Sequence, residues 1–340
     1  MDLQEKFSRF LVVSLGSIGK RHARNIRAMF PKSEIAALRL TSRGSIGQSE
    51  HCDIELHDMD AVKRFAPQVA IVASPASTHF EVASALIASG VPTFIEKPLC
   101  CNLNDARQLV HQSAQADVTL MVGYNLRFLP AFESIQKLLG ENVVGRVISV
   151  QAEVGQYLPT WRPGQDYRLG VSANRSLGGG ALLELSHELD YLYWLFGMPD
   201  NVYAAAGTYS DLDIDVEDLV EIVMTYNSPR RIVTIHLDFV QQVATRKCKF
   251  VGTHGTLSWD GVAGTVMIDG HDSQAEGLRE TQPPFDTYVA ELRHFLDCIQ
   301  SGADPLISAV DGYNVMAIIE AARRSAESGC AVKPEAFSHD

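Results

Sequence analysis

A lysine that directly follows an apolar run is the residue best placed to do chemistry in this chain. Lys97 lies in the tripeptide Glu96-Lys97-Pro98, just after the run 91–95. Proline fixes φ and favours extended backbone in the residue before it, so Lys97 is predicted to lie at a strand end. Open α/β sheets bind ligands there, and a partly desolvated lysine can bond a substrate hydroxyl or carry its proton. Taken alone, the pattern is more typical of a solvated Glu-Lys pair before a turn.

A glycine turn near the start of the chain predicts a nucleotide site. The apolar run 10–13 is followed by Ser14-Leu15-Gly16-Ser17-Ile18-Gly19 and then by a helical pattern. This is the context that a Gly-x-Gly-x-x-Gly motif requires, although Ser14 replaces the first glycine. Gly16 allows the backbone to approach a pyrophosphate, and Gly19 allows the helix to pack closely on the strand. The residues expected to bind the cofactor here are Gly16, Ser17, Ile18 and Gly19.

The residues after the second predicted strand, 35–40, indicate which dinucleotide is bound. NAD-selective sites place Asp or Glu in this region, yet no acidic residue occurs between Glu34 and Glu50. Ser42 and Arg43 offer a hydroxyl and a guanidinium fork that suit a 2′-phosphate. NADP is therefore favoured, and NAD remains possible. The other interpretation is a polar loop with a solvated arginine.

Composition restricts the class of protein and its partners. The 340 residues, 46% of them hydrophobic and 21% charged, suit a globular protein of two domains. The net charge of −12 argues against nucleic acid and membrane partners. No apolar stretch approaches the roughly 18 residues of a membrane span, and the acidic start is unlike a signal peptide. Six cysteines without a Cys-x-x-Cys pair predict reduced thiols and a cytoplasmic location.

The chain changes character near residue 124. Up to that point strands alternate with helices, which predicts a doubly wound parallel sheet, a Rossmann dinucleotide-binding domain over 1–124. Beyond it, successive strands joined by turn residues predict an α+β domain over 125–340 with a large open, mainly antiparallel sheet. This second domain is assigned to substrate binding and oligomerisation. An exposed sheet face needs cover, so a homodimer or homotetramer is expected.

A second constellation follows the glycine turn 178–180. One long helix is predicted over 181–196, and it places Glu184, His187 and Asp190 on one polar face. A histidine oriented by a carboxylate can act as a general base. The other interpretation, slightly favoured without further context, is an amphipathic helix with an acidic solvated face.

Two Glu-x-x-His pairs raise the question of a metal site. Glu184-x-x-His187 and Glu291-x-x-His294 both fall on predicted helices, as in di-iron bundles. That site needs a four-helix bundle with two more inward glutamates, whereas this chain is built on a nucleotide-binding sheet. No metal is predicted, and His294 is interpreted as a helix-surface residue.

The stretch 156–168 is rich in aromatic residues and arginine, which makes it a candidate substrate loop. Aromatic faces suit sugar rings, and guanidinium forks suit phosphate or carboxylate. A structural loop that packs Trp161 on the sheet is nearly as compatible with the pattern. The candidate substrate-binding residues are Tyr157, Trp161, Arg162, Tyr167 and Arg168, together with Lys97, His187 and Asp190.

The order of these motifs resembles the Gfo/Idh/MocA family, named after glucose-fructose oxidoreductase, inositol dehydrogenase and rhizopine catabolism. The resemblance spans nearly the whole chain and is carried by Gly16-Ser17-Ile18-Gly19-Lys20-Arg21-His22, Ala73-Ser74-Pro75-Ala76-Ser77-Thr78-His79, Glu96-Lys97-Pro98, Gly123-Tyr124-Asn125-x-Arg127-Phe128, and Gly178-Gly179-Gly180 leading to His187 and Asp190. It implies a two-domain NAD(P)-dependent oxidoreductase acting on sugars, cyclitols or related alcohols. Lys97 would lie near the nicotinamide and the substrate hydroxyl, and His187 would be the active-site histidine. The residues implied to line the cofactor are Ser74, Pro75, Thr78, His79, Glu96 and Asn125.

One position departs from the family pattern. Many members carry an aspartate four residues before the active-site histidine, whereas Leu183 stands there and Glu184 is only three residues before His187. Either Glu184 takes the role of that acid, or Lys97 and His187 suffice without it.

The resemblance leaves three functions open. The pattern around 157–168 is similar to members associated with surface-polysaccharide and nucleotide-sugar metabolism, so a dehydrogenase or reductase of a sugar, possibly a nucleotide sugar, is predicted. A glycoside hydrolase that uses bound NAD transiently, and a non-catalytic nucleotide-binding regulator, remain the alternatives.

Overall fold

The computed structural model describes residues 3–39, 51–270, 278–281 and 285–338. Its contacts divide the chain into two compact units, one made of Met1–Tyr124 and Tyr288–Tyr313, the other of Asn125–Thr287 and Asn314–Asp340. Strands and helices are numbered along the whole chain. Ser42 and Arg43, the basis of the NADP prediction, lie outside the described residues.

The first unit is built on a six-stranded parallel sheet with strand order β3-β2-β1-β4-β5-β6. Its central strands are short runs of apolar residues buried along their length, as expected for a parallel sheet covered on both faces. The strands are Arg9–Val13 (β1), Glu34–Leu38 (β2), Ile54–Leu56 (β3), Val69–Val72 (β4), Thr93–Glu96 (β5) and Leu120–Gly123 (β6).

The helices of the first unit follow the strands and begin at polar caps where the sequence provides them. The Asp58 carboxylate accepts a hydrogen bond from the Ala61 N–H, and the Asn102 side chain accepts one from the Asp105 N–H. The helices are Leu3–Lys6 (α1), Ser17–Met29 (α2), Met59–Phe65 (α3), His79–Ala88 (α4) and Leu103–Ala116 (α5).

A segment from much later in the chain completes this unit. Most of helix α9 (Thr287–Ser301) packs there, with the Phe295 ring centroid 5.8 Å from that of Phe94. After α9, the Ile307 carbonyl accepts a hydrogen bond of 3.1 Å from the Val122 N–H of β6. The first unit is therefore formed by two stretches of sequence.

The second unit contains an eight-stranded sheet with strand order β14-β13-β12-β11-β7-β10-β9-β8. Within this second sheet, β7 and β10 are the only described strands that pair in parallel; the other described pairs are antiparallel. The predicted fold class, a Rossmann sheet plus a largely antiparallel second domain, is confirmed. The strands are Val147–Gly155 (β7), Asn201–Gly207 (β8), Leu219–Asn227 (β9), Arg230–Asp238 (β10), Thr245–Gly252 (β11), Gly255–Asp260 (β12), Thr265–Gly270 (β13) and Leu278–Thr281 (β14).

Helices contact one face of this sheet. Alternate residues of β10 (Val233, Ile235 and Leu237) are fully buried, whereas Ile232 on the other face is 52% exposed. This alternation is typical of an antiparallel sheet with one covered face. The helices of this part of the chain are Pro130–Gly140 (α6), Ala181–Glu184 (α7), His187–Phe196 (α8) and Ala309–Ser328 (α10).

The prediction of one continuous helix over 181–196 is wrong. The chain forms α7 and α8 with a break at Leu185 and Ser186, where Leu185 leaves helical geometry at φ −101° and ψ 22°. The Ser186 hydroxyl donates to the Leu183 carbonyl at 2.9 Å, a local bond that competes with the helical pattern.

None of the helices in the described part of the chain is both long and apolar enough to cross a membrane.

Candidate active site

The carboxyl ends of the central strands in the first unit gather the sequence-predicted residues at one edge of the sheet. β1 pairs with β4, and β4 pairs with β5, all in parallel. Ser14, Ser74 and Lys97 follow these three strands and therefore share an edge. The strand order reverses direction at β1, which is where doubly wound sheets bind dinucleotides.

The glycine turn after β1 has the backbone that close approach demands. Ser14 stands in place of the first motif glycine and takes a left-handed φ of 71°. A Cβ at Gly19 would lie 2.1 Å from the Ser14 carbonyl oxygen, so only glycine fits there. By contrast, a Cβ at Gly16 would meet no atom within 4 Å among the described residues, which leaves open space beside the turn.

This turn leads into an exposed helix start that suits a phosphate. Gly16 is the N-cap of α2, and no side chain of the described residues makes a capping hydrogen bond there. Backbone N–H groups at such a helix start bind phosphate oxygens, and the helix dipole favours negative charge. The open space at Gly16, with Ser17 and Ile18 in the first turn of α2, fits a dinucleotide pyrophosphate.

The loop after β4 is held by its own hydroxyls and by a histidine. The Thr78 hydroxyl donates to Ser74 Oγ at 2.7 Å and lies 2.9 Å from the Pro75 carbonyl. His79 is 1% exposed, with Nε2 2.8 Å from the Ser74 carbonyl and Nδ1 3.0 Å from the Pro98 carbonyl. Burial lowers the His79 pKa and favours the neutral ring, which has one N–H for these two carbonyls. His79 therefore lies between the loops after β4 and β5 and donates its one N–H to one of these two carbonyls.

Lys97 is the accessible residue in a buried strand end. Glu96 is 7% exposed and Pro98 is buried, whereas Lys97 between them is half-buried. The Glu96 carboxylate turns back into the unit, where Oε1 lies 2.6 Å from Nε2 of the fully buried His22. Glu96 is thereby fixed in the interior, and Lys97 is left at the edge that faces the predicted cofactor crevice.

Three ligating groups meet beneath this edge. Ligand atoms of His22, Glu96 and Glu291 all lie within 4.8 Å of one another, and all three residues are buried. Burial first, and then the negative potential of Glu96 and Glu291, raises the pKa of the neighbouring Tyr288 to about 12.

In the second unit, the break between α7 and α8 exposes two of the predicted residues. Within 181–190, Glu184 and His187 are half-buried and the other residues are buried. The Glu184 carboxylate accepts a hydrogen bond of 2.8 Å from the Ser172 hydroxyl. Leu183, at the position of the family aspartate, is 2% exposed and belongs to the core. The half-buried acid at this break is therefore Glu184.

Asp190, which was predicted on a polar helix face with Glu184 and His187, lies in the interior instead. It is fully buried, and its carboxylate accepts hydrogen bonds from Nε and Nη2 of Arg127, the shortest at 2.7 Å. Glu188, also fully buried, is bound in the same bidentate way by Arg246. Both acids hold the first turn of α8 in place.

Two side chains of the candidate substrate loop, Arg168 and Trp161, make contacts within the protein. Arg168 makes a bidentate bond to Asp166, which lowers the pKa of that carboxyl. Trp161 packs edge-on against Phe239 at 5.2 Å, so this ring has the structural role that the sequence left open. Arg162 is exposed and has no ion-pair partner within the described residues.

A small cavity of about 20 Å³ lies under this loop, and among its lining residues are Trp161, Arg162, Tyr167 and Ser172. The Ser172 hydroxyl also donates a hydrogen bond to the Glu184 carboxylate, so the cavity lies close to the break between α7 and α8. Tyr157 directly precedes the first lining residue of this cavity in the sequence and is half-buried.

Asn125, which the resemblance implies as a cofactor-lining residue, makes a hydrogen bond within the second unit. Its amide donates a hydrogen bond of 2.7 Å to the Thr287 hydroxyl, and both residues belong to the second unit.

Family models identify both parts of the chain. Residues 8–124 match the "Oxidoreductase family, NAD-binding Rossmann fold" model, and residues 136–333 match the "Oxidoreductase family, C-terminal alpha/beta domain" model, both of Gfo/Idh/MocA. The chain belongs to the Gfo/Idh/MocA oxidoreductase family. The predicted family membership is confirmed, and the chain is an NAD(P)-dependent oxidoreductase with an NAD-binding Rossmann domain.

Individual relatives match nearly the whole chain. The myo-inositol 2-dehydrogenase of Thermotoga maritima is 26% identical over 96% of this chain and 98% of its own. A levoglucosan dehydrogenase solved with NADH has a TM-score of 0.85 at 19% identity, covering 97% of this chain and 100% of the other. The UDP-N-acetylglucosamine 3-dehydrogenase of Acidithiobacillus ferrooxidans has a TM-score of 0.77 at 22% identity, covering 94% and 98%. The two structural likenesses show the Gfo/Idh/MocA fold.

Sequence reasoning did not anticipate the roles of His22, Arg127 and Glu291. His22 and Arg127 stood inside family motifs, but their partners are 74 and 63 residues away in the sequence. Glu291 carried no signal beyond its Glu-x-x-His spacing, and that spacing does not create a site with His294. Instead, Nε2 of His294 accepts a hydrogen bond of 2.9 Å from the Leu306 N–H.

Proposed function

We propose that this oxidoreductase transfers a hydride between a nicotinamide cofactor, preferentially NADP, and a hydroxyl or keto carbon of a sugar. The observation that carries the proposal is the half-buried Lys97 between a buried Glu96 and a buried Pro98, at the carboxyl end of β5. A lysine in that position can reach a ligand at the sheet edge while its neighbours anchor the backbone.

Lys97 handles the proton of the reacting oxygen. Its ammonium group donates a hydrogen bond to the substrate oxygen, which stabilises negative charge as it develops there. When a carbonyl is reduced, the lysine gives up a proton to that oxygen; in the reverse direction, the amine accepts it. A bound nicotinamide cofactor supplies or accepts the hydride.

Gly16, Ser17, Ile18 and Gly19 would hold the pyrophosphate of the cofactor, because Gly16 leaves open space at an uncapped helix start. Ser74, Pro75 and Thr78 would line the cofactor from the loop after β4. His79 and Glu96 would act by fixing these loops, since both side chains are buried.

His187 and Glu184 of the second unit are proposed as acid–base groups. Both are half-buried at the break between α7 and α8, where their neighbours in 181–190 are buried. The Ser172 hydroxyl orients Glu184. This carboxylate can therefore hold the substrate or relay a proton, although Leu183 stands at the position of the family aspartate.

The substrate is proposed to be a sugar or a nucleotide sugar. Relatives named for myo-inositol and UDP-N-acetylglucosamine support a polyhydroxylated substrate. Tyr157, Tyr167 and the exposed Arg162 offer aromatic surface and a cation beside the cavity near Ser172.

The proposed preference for NADP depends on Ser42 and Arg43, since no acidic residue stands between Glu34 and Glu50 to hold a ribose hydroxyl. NAD remains the alternative cofactor. A homodimer or homotetramer is proposed because the second sheet exposes one face. A reducing cytoplasmic compartment is proposed because the six described cysteines form no disulfide.

Fluorescence titration with NADPH and NADH, followed by a screen of sugars and nucleotide sugars, tests the proposal. We expect tighter binding of NADPH and stoichiometric change in cofactor absorbance with at least one substrate. Glycoside cleavage without net cofactor consumption would indicate the NAD-dependent hydrolase instead. Binding of dinucleotide with no turnover on any sugar would favour a regulator.

A further inference from the structure

The connection between β8 and β9, residues 208–218, is rich in carboxylates and contains no basic residue. These residues are called the acidic loop below. Its acids are Asp211, Asp213, Asp215, Glu217 and Asp218. The first four alternate with apolar residues, and such alternation places every second side chain on the same side of an extended segment.

The ends of the acidic loop are joined through its one fully buried acid, Asp218. Oδ1 of this carboxylate accepts a hydrogen bond of 2.8 Å from the Tyr209 N–H, and Oδ2 accepts one of 3.0 Å from the Ser210 N–H. The Thr208 hydroxyl donates to the Val216 carbonyl at 2.7 Å. The loop therefore has a shape that its own hydrogen bonds fix.

Asp213 and Asp215 bond the end of the candidate substrate loop and the turn after it. The Asp213 N–H donates to the Tyr167 hydroxyl at 3.2 Å, and the Asp213 carboxylate lies 3.7 Å from Nη1 of Arg168. Oδ1 of Asp215 accepts a hydrogen bond of 2.7 Å from the Arg175 N–H. The Asp215 carbonyl accepts two more from Nε and Nη2 of the same arginine, at 3.1 and 2.9 Å. Two candidate substrate-binding residues are thus held by the acidic loop.

Glu217 holds the glycine turn 178–180 that precedes α7. Its carbonyl accepts a hydrogen bond of 3.1 Å from the Ala181 N–H, and its Oε1 accepts one of 3.1 Å from the Leu182 N–H. Gly180 has a φ of 107°, and a Cβ there would lie 2.4 Å from Oε1 of Glu217. Glycine at this position is therefore what allows the carboxylate to approach the start of α7.

The glycine turn extends this support to the proposed acid–base group Glu184. The Gly180 N–H donates to the Ser172 carbonyl at 3.1 Å, and a Cβ at Gly179 would lie 2.7 Å from that same oxygen. The Ser172 hydroxyl in turn donates to the Glu184 carboxylate at 2.8 Å. Direct contacts therefore run from Glu217 to the carboxylate of Glu184.

We propose that the acidic loop positions the sugar site, with Asp215 holding the substrate loop and Glu217 holding Glu184. Both are positioning residues, which act through the residues they bond. A substrate loop held in advance binds sugar more tightly, because the sugar does not have to order it. This inference rests on the proposed function and adds to it the residues that determine sugar affinity.

Substitutions at Asp215 test its role in sugar binding. Asp215→Ala removes the acceptor for the Arg175 N–H and should raise KM for the sugar at least about threefold, as the loss of one hydrogen bond implies. The value of kcat and the dissociation constant for NADPH should not change. Asp215→Asn keeps an oxygen acceptor and should retain the wild-type KM. The matched control is Asp211→Ala, which removes an exposed charge from the same loop and none of the bonds described above.

Substitutions at Glu217 should have a different kinetic effect. Glu217→Ala loosens the contacts that lead to Glu184, so kcat should fall at least about threefold in addition to the rise in KM. Glu217→Gln keeps the oxygen that accepts from the Leu182 N–H and should restore both values. Circular dichroism verifies that each variant is folded. Losses of thermal stability without any change in KM or kcat would show a purely structural role and overturn the proposal.

Hydrogen–deuterium exchange without substrate separates this proposal from the proposed function. Peptides that cover 167–182 should exchange faster in Asp215→Ala than in the wild type or in Asp211→Ala, whereas peptides from β1 to β6 should not change. Faster exchange in an enzyme that turns over no sugar would support the hold on the loop and overturn the proposed function. Unchanged exchange, or equal KM values for Asp215→Ala and Asp211→Ala in an active enzyme, would overturn the positioning role.

Discussion

Nε2 of His22 lies 2.6 Å from Oε1 of Glu96, the residue that directly precedes Lys97. His22 comes from the helix after the glycine turn, so one hydrogen bond joins the proposed pyrophosphate site to the strand end that carries the proposed catalytic lysine. Glu96 also neighbours Glu291 of α9. The position of Lys97 is thus determined by residues from three separate parts of the sequence.

Replacing His22 should therefore affect both stability and turnover. His22→Ala leaves the buried Glu96 without its hydrogen bond, which should lower the free energy of unfolding by about 1–3 kcal/mol. Because Lys97 is the next residue, kcat should fall as well. Urea unfolding and steady-state kinetics measure the two effects. The exposed His57→Ala variant should change unfolding by less than about 0.5 kcal/mol; equal effects at both positions would contradict the role of His22.

Lys97→Ala should separate chemistry from cofactor binding. Loss of the proton-handling group should reduce kcat by roughly 10²–10⁴-fold. The dissociation constant for NADPH should change little, because Gly16 and the start of α2 lie on a different strand end. Stopped-flow absorbance and fluorescence titration give the two values. Undiminished turnover would exclude the proposed role of Lys97, and Lys63→Ala is the matched control on an exposed helix.

Alanine substitutions at the two motif glycines should have different effects, one on stability and the other on cofactor binding. Gly19→Ala places a Cβ 2.1 Å from the Ser14 carbonyl oxygen, so the melting temperature should fall by several degrees, as about 1–3 kcal/mol of overpacking implies. Gly16→Ala meets no described atom within 4 Å and should leave the melting temperature unchanged. It should nevertheless weaken cofactor binding at least about tenfold, because the added methyl group fills the space for the pyrophosphate. Calorimetry and cofactor titration of both variants decide the matter.

The Arg127–Asp190 pair should behave as a buried ion pair. Arg127→Met leaves the Asp190 carboxylate uncompensated in the interior and should cost about 3–5 kcal/mol of unfolding free energy. Adding Asp190→Leu should recover much of that loss, because the isolated charge disappears. A double-mutant cycle by chemical denaturation measures the coupling. Additive losses would show that the two side chains do not interact in solution.

His236 should make stability depend on alkaline pH. The hydrogen bond to Asp238, and then that to Glu221, raises its pKa to about 9 from 6.5 in the unfolded chain. The stabilisation is therefore complete below about pH 6.5 and is lost as the pH rises through about 9. Because the ring is partly exposed, the effect should be about 1 kcal/mol. Unfolding of His236→Gln between pH 6 and 10, at one fixed protein concentration, should lack this loss; identical profiles would refute it.

Local patterns in the sequence predicted the fold because both sheets are made of strands with distinct periodicity. The buried runs β1, β2 and β5 were predicted within about two residues. Strand Thr265–Gly270 was not predicted, since its short alternation lies in a turn-rich stretch.

The candidate site was predictable only where a residue's own neighbours carry the signal. Lys97 and Gly16 were recognised from flanking residues. The break at Leu185 was not, because it arises from a side-chain bond of Ser186 inside an otherwise helical pattern. The burial of Asp190 depends on Arg127, which lies 63 residues earlier, and no local pattern reports such a pairing.

The return of Tyr288–Tyr313 to the first unit bears on how the protein is synthesised. A ribosome releases the Rossmann strands early, yet Phe295 and Glu291, which pack against Phe94 and Glu96, emerge only after the whole second sheet. Part of the core of the cofactor-binding unit therefore stays unfilled until the second sheet has been synthesised. For the same reason, a chimaera that exchanges this module between relatives has to transplant two gene segments together.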